Sequence, residues 1–79
     1  MNIDVRIPTE SSEAEEFYLA EWLTSVGQTV APGQVIAELT TDKAIVEIEA
    51  PAAGTLIAQH AQVDQRMAPG DLLAVIEAD

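Results

Sequence analysis

Lys43 is the only lysine of this 79-residue chain, and it lies in a short polar segment, residues 41–44, between two apolar runs. A primary amine on a flexible stem becomes a nucleophile for acyl transfer once it is deprotonated. A lysine in a turn is also ordinary turn composition, and by itself it indicates only a solvated hairpin tip. The choice between covalent attachment and plain solvation depends on the elements that support this turn.

Few other residues in the chain could do chemistry. The absence of cysteine excludes a thiolate nucleophile, a disulfide and a cysteine metal site, so any thiol chemistry must come from an attached group. The single histidine, His60, has no second histidine near it in the sequence and predicts no metal site. No carboxylate pair stands out as an acid–base couple, and the glycines lack the spacing of a phosphate-binding loop. We therefore predict no catalytic residue.

The charge balance narrows the class of partner. Fourteen acidic residues face three basic ones, for a formal net charge of −11. This charge argues against nucleic acid and against an anionic membrane surface, and it favours a partner with a basic docking surface. No apolar run approaches the roughly 18 residues of a membrane-spanning helix, and no signal peptide is visible. We expect one domain, residues 1–79, in the bacterial cytoplasm or, in a eukaryote, the mitochondrial matrix.

Alternating apolar residues predict strands that flank the lysine. The predicted strands are residues 2–7, 17–23, 34–40, 45–50, 55–61 and 72–77. Residues 9–16 are polar and acidic and predict a surface loop, and residues 26–33 and 51–54 carry turn signals. Residues 13–23 taken alone favour a short helix, because Ser12 and Glu15 resemble a capping box.

An internal repeat changes the prediction for that segment. Residues 26–39 align with residues 63–76 at a constant offset of 37, and both copies contain Ala-Pro-Gly. The same offset places residues 17–23 opposite a predicted strand, so we predict a strand there as well. Neither half could bury its apolar face alone, which indicates a pseudo-twofold β-sandwich or barrel. The offset also takes Lys43 to the chain termini, so the lysine should lie at the opposite end from them.

Residues 38–51 read Glu-Leu-Thr-Thr-Asp-Lys-Ala-Ile-Val-Glu-Ile-Glu-Ala-Pro, and Gly54 follows. This segment closely resembles the lipoylation segment of 2-oxo acid dehydrogenase acyltransferases. Glu21-Trp22-Leu23 and Pro69-Gly70-Asp71 resemble the second strand and the final turn of the same lipoyl domains. The resemblance therefore covers nearly the whole chain, and it implies a flattened all-β barrel or sandwich of two four-stranded antiparallel sheets.

The resemblance also implies a function. Lys43 would carry lipoate in amide linkage, and this arm would carry acyl groups and reducing equivalents among three enzymes. These are a thiamine-diphosphate-dependent 2-oxo acid dehydrogenase (E1), the acyltransferase catalytic domain (E2) and dihydrolipoamide dehydrogenase (E3). The domain itself would be a non-catalytic, monomeric carrier that raises effective concentration, and it could be a piece of a dihydrolipoamide acyltransferase.

The neighbours of Lys43 bear on which group is attached. Asp42 and Ala44 match the lipoyl pattern, whereas the related biotinyl domains usually carry methionine on both sides of the lysine. This favours a lipoate-attaching enzyme over a biotin-attaching one. Thr40 departs from the pattern, since many lipoyl domains have glutamate at that position.

The acidic loop also departs from the family pattern, because related domains usually have a glycine soon after the proline. In the family this loop lies near the lipoyl turn and helps to select the dehydrogenase. The residues that we predict for partner recognition are Glu10, Glu13, Glu15, Glu16, Thr40 and Thr41. Two alternatives remain for the whole chain, a biotin carrier and an unmodified structural module.

Overall fold

The computed structural model describes residues 1–9 and 16–78, and these residues form eight β-strands. The strands are β1 (Asn2–Arg6), β2 (Phe17–Trp22), β3 (Thr29–Val30), β4 (Val35–Thr40), β5 (Ile45–Glu49), β6 (Gly54–Gln59), β7 (Arg66–Met67) and β8 (Leu72–Ala78). They make two four-stranded antiparallel sheets with the orders β1-β8-β6-β3 (sheet A) and β5-β4-β2-β7 (sheet B). The predicted all-β fold of two four-stranded sheets is confirmed. No helix suited to crossing a membrane is present in the described stretches.

Six of the eight strands coincide with the predicted runs to within two residues at each end, including β2, where the repeat favoured strand over helix. The sequence did not predict β3 and β7. Each is two residues long, too short for an alternating pattern, and each depends on a distant partner. Pairing with β6 fixes β3, and pairing with β2 fixes β7.

Gly54 differs from the prediction, which placed it in the turn 51–54. It is the buried first residue of β6, paired on one side with Val30 and on the other with Ala78. A Cβ atom at this position would overlap the backbone carbonyl of Glu77. Glycine is therefore required by the close approach of β6 and β8.

The repeat is present in the hydrogen bonds of the fold. The Gly27 N–H donates to the Leu56 carbonyl at 2.7 Å, and at the same offset of 37 the Asp64 N–H donates to the Leu19 carbonyl at 2.7 Å. Both donors have positive φ, +95° at Gly27 and 70° at Asp64. The two halves thus share one backbone geometry, which supports the pseudo-twofold prediction.

The first strand of each half follows a different offset. The Ile7 N–H donates to the Asp71 carbonyl at 2.9 Å, and the Ala50 N–H donates to the Gln34 carbonyl at 2.8 Å. Gln34 and Asp71 differ by 37 positions, whereas Ile7 and Ala50 differ by 43. The connection from β1 to β2 is therefore six residues longer than the one from β5 to β6, and those extra residues fall in the acidic loop.

The core lies between the two sheets and draws on both halves of the chain. Its largest fully buried side chains are Phe17, Ile7, Leu19, Ile36, Leu39, Leu56, Leu73 and Ile76. Met67 is also buried, and Trp22 packs against the core while its indole N–H donates to the Ala61 carbonyl at 3.0 Å. Trp22 and Met67 are thus packing residues. This aliphatic core gives the strands that carry Lys43 a fixed support.

Candidate functional site

Lys43 lies in the turn of the β4–β5 hairpin, and its neighbours Asp42 and Ala44 are exposed with it. β4 is an interior strand of sheet B, paired with β5 on one side and β2 on the other. Directly below the turn, Leu39 is fully buried. A flexible side chain therefore projects from a backbone that the core holds in place.

The hydroxyl of Thr41 holds the turn together. Its Oγ1 accepts hydrogen bonds from the Lys43 N–H at 3.1 Å and the Ala44 N–H at 3.0 Å, and it donates to the Ala44 carbonyl at 3.1 Å. The Thr41 N–H also donates to the Ala44 carbonyl at 2.9 Å. The sequence predicted only a recognition role for Thr41. A threonine that begins a turn is the available signal for this motif.

The turn and the chain termini lie at opposite ends of the domain. β5 leads away from the turn for five residues, about 17 Å at the usual strand rise. Residues 51–53 then pass to Gly54, which pairs with Ala78 at the terminal end of sheet A. Because the molecule is 35 Å long, Lys43 is presented away from both termini, as the repeat predicted.

The outer face of sheet B has two cross-strand rows next to the turn. In the first row Tyr18 pairs with Thr40 and Thr40 with Ile45, and the side chain of Ile45 is 67% exposed. The second row is acidic and is formed by Glu21, Glu38 and Glu47 on adjacent strands. The structure thus places Thr40 beside the lysine turn, where a partner that approaches Lys43 would meet it.

Of the acidic loop, Glu16 lies within the described residues, whereas Glu10, Glu13 and Glu15 lie outside them. The Glu16 carboxylate forms an ion pair with Arg66 at 3.3 Å and accepts a hydrogen bond from the Tyr18 hydroxyl at 3.3 Å. Tyr18 pairs with both Arg66 and Thr40 across the sheet. The end of the loop is therefore anchored close to the lysine turn, and the recognition roles stay predictions.

Within residues 1–9 and 16–78, no group of histidine and acidic side chains has a geometry that could hold a metal ion. The same residues leave no buried side-chain nitrogen or oxygen without a hydrogen-bond partner. Thr24, a buried polar residue, donates from its hydroxyl to the Ile36 carbonyl at 3.4 Å. The polar groups buried within these residues thus serve the fold, and Lys43 is exposed in its turn.

Comparisons with known proteins show the family of the chain. The biotin/lipoyl family model, described as "Biotin-requiring enzyme", matches residues 3–76. The chain is 40% identical over 75 residues, 95% of its length, to the lipoamide acyltransferase component of the branched-chain alpha-keto acid dehydrogenase complex of Pseudomonas aeruginosa. It is 38% identical over 78 residues, 96% of its length, to the dihydrolipoyllysine-residue acetyltransferase component of the pyruvate dehydrogenase complex of Zymomonas mobilis. It spans 18% of the length of each relative.

Among solved structures, the fold matches the solution structure of the lipoyl domain of the 2-oxoglutarate dehydrogenase complex from Azotobacter vinelandii. The TM-score is 0.77 with 26% sequence identity, and the match covers 98% of this chain and 99% of that one. The sequence match and the structural match therefore extend over the same, nearly complete, length. The chain belongs to the biotin/lipoyl family, as a lipoyl domain that resembles those of 2-oxo acid dehydrogenase acyltransferase components.

Proposed function

We propose that this domain is a non-catalytic carrier that holds lipoate in amide linkage on Lys43. The observation that carries the proposal is the placement of the chain's single lysine at an exposed hairpin tip, at the end opposite the termini. A carrier needs this arrangement, because the tether must leave through one end while the attached group works at the other. The rigid β4–β5 support fixes where the flexible arm starts.

The residues around Lys43 fit lipoate better than biotin. Asp42 and Ala44 flank the lysine where biotinyl domains usually have methionine on both sides, and all three residues are exposed to an attaching enzyme. Lipoate, when bound, supplies a disulfide that can be reductively acylated and later reoxidised, which a chain without cysteine cannot supply itself. The family description includes biotin, so a biotin carrier is the second candidate.

The chain's own contribution to the reaction is tethering and steering. Fixing the arm to a domain that is linked to a complex raises the effective concentration of the carried group at each active site. The net charge of −11 favours encounter with basic docking surfaces. We propose a lipoate-attaching enzyme, an E1 dehydrogenase, an acyltransferase domain and an E3 dehydrogenase as partners. The relatives are components of 2-oxo acid dehydrogenase complexes, which supports this set of partners in general.

The proposal is tested by the mass of the intact protein, with peptide mapping, after separate co-expression with a lipoate-attaching and a biotin-attaching enzyme. We expect a lipoyl or octanoyl increment on Lys43. A biotinyl increment would support the second candidate. No increment with either active enzyme would contradict the carrier function and leave a structural module.

The matched control is Lys43→Arg, which keeps the charge and removes the acylated amine. We expect no attachment, and a free energy of unfolding within about 0.5 kcal/mol of the wild type, because the residue is exposed in a turn. Urea denaturation checks the second expectation. A much larger loss of stability would show that Lys43 has a structural role.

A further inference from the structure

We propose that Thr41 is a positioning residue for attachment at Lys43. Its hydroxyl holds the backbone of Asp42 and Lys43 in the conformation that the attaching enzyme binds. The inference rests on the proposed function and adds to it a device, within the turn, that controls how well the chain serves as a substrate.

The hydroxyl of Thr41 is fully used inside the turn. A threonine hydroxyl can donate one hydrogen bond and accept two. Thr41 does all three within its own turn, with the Lys43 N–H, the Ala44 N–H and the Ala44 carbonyl at 3.0 to 3.1 Å. In an ordinary β-turn the first residue's backbone carbonyl would receive the last residue's N–H. Here the hydroxyl of Thr41 accepts that N–H and the N–H of the lysine as well.

The other end of the molecule shows what these bonds add. At the offset of 37, Thr41 corresponds to Ala78, and Ala44 corresponds to Met1 at the offset of 43. The Ala78 N–H donates to the Met1 carbonyl at 2.8 Å, as the Thr41 N–H donates to the Ala44 carbonyl at 2.9 Å. Strand pairing therefore reaches this point without a hydroxyl. The hydroxyl of Thr41 adds bonds to the Lys43 N–H and to both backbone groups of Ala44, and so it restrains the two-residue tip, Asp42 and Lys43, that lies between Thr41 and Ala44.

The lysine turn also lacks the usual hairpin chemistry. Two-residue hairpin loops are usually stabilised by residues with positive φ, most often Asn-Gly or Asp-Gly. Among the described non-glycine residues, Asp64 is the one with positive φ, and the turn 41–44 contains no glycine. The hydroxyl of Thr41 therefore supplies a restraint that positive-φ residues supply in other short hairpins.

A turn without this restraint would sample other backbone conformations. The attaching enzyme forms an amide between Nζ of Lys43 and the carboxyl carbon of lipoate. ATP activates that carboxyl as an acyl adenylate and pyrophosphate leaves. AMP then leaves as the amide forms, and Nζ loses a proton. If only a fraction of the molecules has the competent turn, the apparent affinity for the enzyme equals the intrinsic affinity multiplied by that fraction, while the bound complex reacts as before. Loss of the hydroxyl should thus raise KM and leave kcat nearly unchanged.

The experiment compares Thr41→Val, which keeps the shape and removes the hydroxyl, with Thr41→Ser, which keeps the hydroxyl. Thr29→Val is the matched control. Thr29 is an exposed threonine of β3 in sheet A, where it pairs with Thr55, whereas the lysine hairpin belongs to sheet B. Each purified domain is incubated with a lipoate ligase, ATP and lipoate, and attachment is followed by mass. Amide hydrogen exchange of Lys43 and Ala44 is measured by NMR on the same samples.

We expect Thr41→Val to raise KM about tenfold and to speed exchange of both amides. The two hydrogen bonds that the hydroxyl accepts, from Lys43 and Ala44, explain this factor at ordinary net strength, since the Ala44 carbonyl keeps its bond from the Thr41 N–H. Thr41→Ser and Thr29→Val should behave as the wild type. Faster exchange without a change in KM would overturn the proposal. A higher KM without faster exchange would also overturn it, because the hydroxyl would then contact the enzyme directly. A wild-type chain that gains no lipoyl mass would instead contradict the proposed function.

Discussion

At the scale of single residues, Gly54 is the position where the fold leaves the least room. A Cβ there would overlap the Glu77 carbonyl and crowd the side chain of Ile76. We expect Gly54→Ala to reduce the free energy of unfolding by at least about 2 kcal/mol, since overpacking against backbone forces strands apart. Urea denaturation measures this change.

Gly27 provides the contrast, because a Cβ atom at this residue would meet nothing within 4 Å, and the constraint on it is a φ of +95°. Asparagine tolerates positive φ better than alanine does. At Gly27 we therefore expect asparagine to cost less than alanine, and at Gly54 we expect it to cost more. If asparagine cost less stability than alanine at both positions, the lack of room for a side chain would not be the reason for glycine at Gly54.

At the scale of elements, the acidic row on the outer face of sheet B places like charges on neighbouring strands, where they repel each other. Glu38 on β4 lies directly opposite Glu21 on β2 and Glu47 on β5. Like charges on directly opposed positions are destabilising, typically by a few tenths of a kcal/mol to about 1 kcal/mol. Glu38→Gln should therefore stabilise the domain by about 0.5 kcal/mol at low salt, and urea denaturation at two salt concentrations measures it. The gain should shrink in high salt, because salt screens charges at the surface.

The matched control for this row is Glu77→Gln on sheet A. Glu77 is an exposed strand glutamate whose cross-strand partners are Asn2 and Thr55. Its replacement should change stability by less and with little dependence on salt. An equal gain at Glu38 and Glu77 would mean that net charge, and not the cross-strand row, sets the effect.

The elements also show what the sequence could and could not predict. The alternation of apolar and polar residues predicts the long strands, because a strand of six residues such as β4 is long enough to show it. For β2, also six residues long, the internal repeat decides between strand and helix. β3 and β7 could not be predicted, since pairing with β6 and β2 defines them. The contacts of Glu16 also depend on the pairing of β2 with β7, which brings Arg66 next to Tyr18 and has no local signal.

The candidate site was predictable to a similar degree. The type and isolation of Lys43 and its hairpin were readable from the sequence, because a polar turn between two alternating runs has a strong local pattern. The full set of bonds made by Thr41 was not readable, since it depends on how the turn closes. The acidic row required the register between three strands.

At the scale of the whole molecule, the pseudo-twofold has a functional consequence. The same backbone hydrogen bond pairs Thr41 with Ala44 at one end of the domain and Ala78 with Met1 at the other. At the first end, residues 42 and 43 connect the paired strands as a turn. That turn carries Lys43, while the matching position at the other end holds the chain's entry and exit. The proposed attachment point, Lys43, is thereby separated from Met1 and Ala78 by the length of the domain.

This geometry predicts that the chain can be circularly permuted with a very short joint. Two residues, Asp42 and Lys43, connect Thr41 to Ala44, so Asp79 plus one added glycine should connect Ala78 to Met1. Asp-Gly suits a two-residue hairpin loop. With new termini between Ala52 and Ala53, in an irregular connection, we expect a native circular dichroism spectrum and attachment at Lys43.

Two further permutants make this test decisive. Opening the same joined chain between Ala37 and Glu38 should prevent folding, because β4 is paired on both sides. A joint of Asp79 plus five glycines, opened between Ala52 and Ala53, should be no more stable than the joint with one, since two residues already span the gap. A domain that folds with the long joint but not with the short one would show that the terminal end does not match the lysine turn. The spectra and urea midpoints of the three permutants decide between these outcomes.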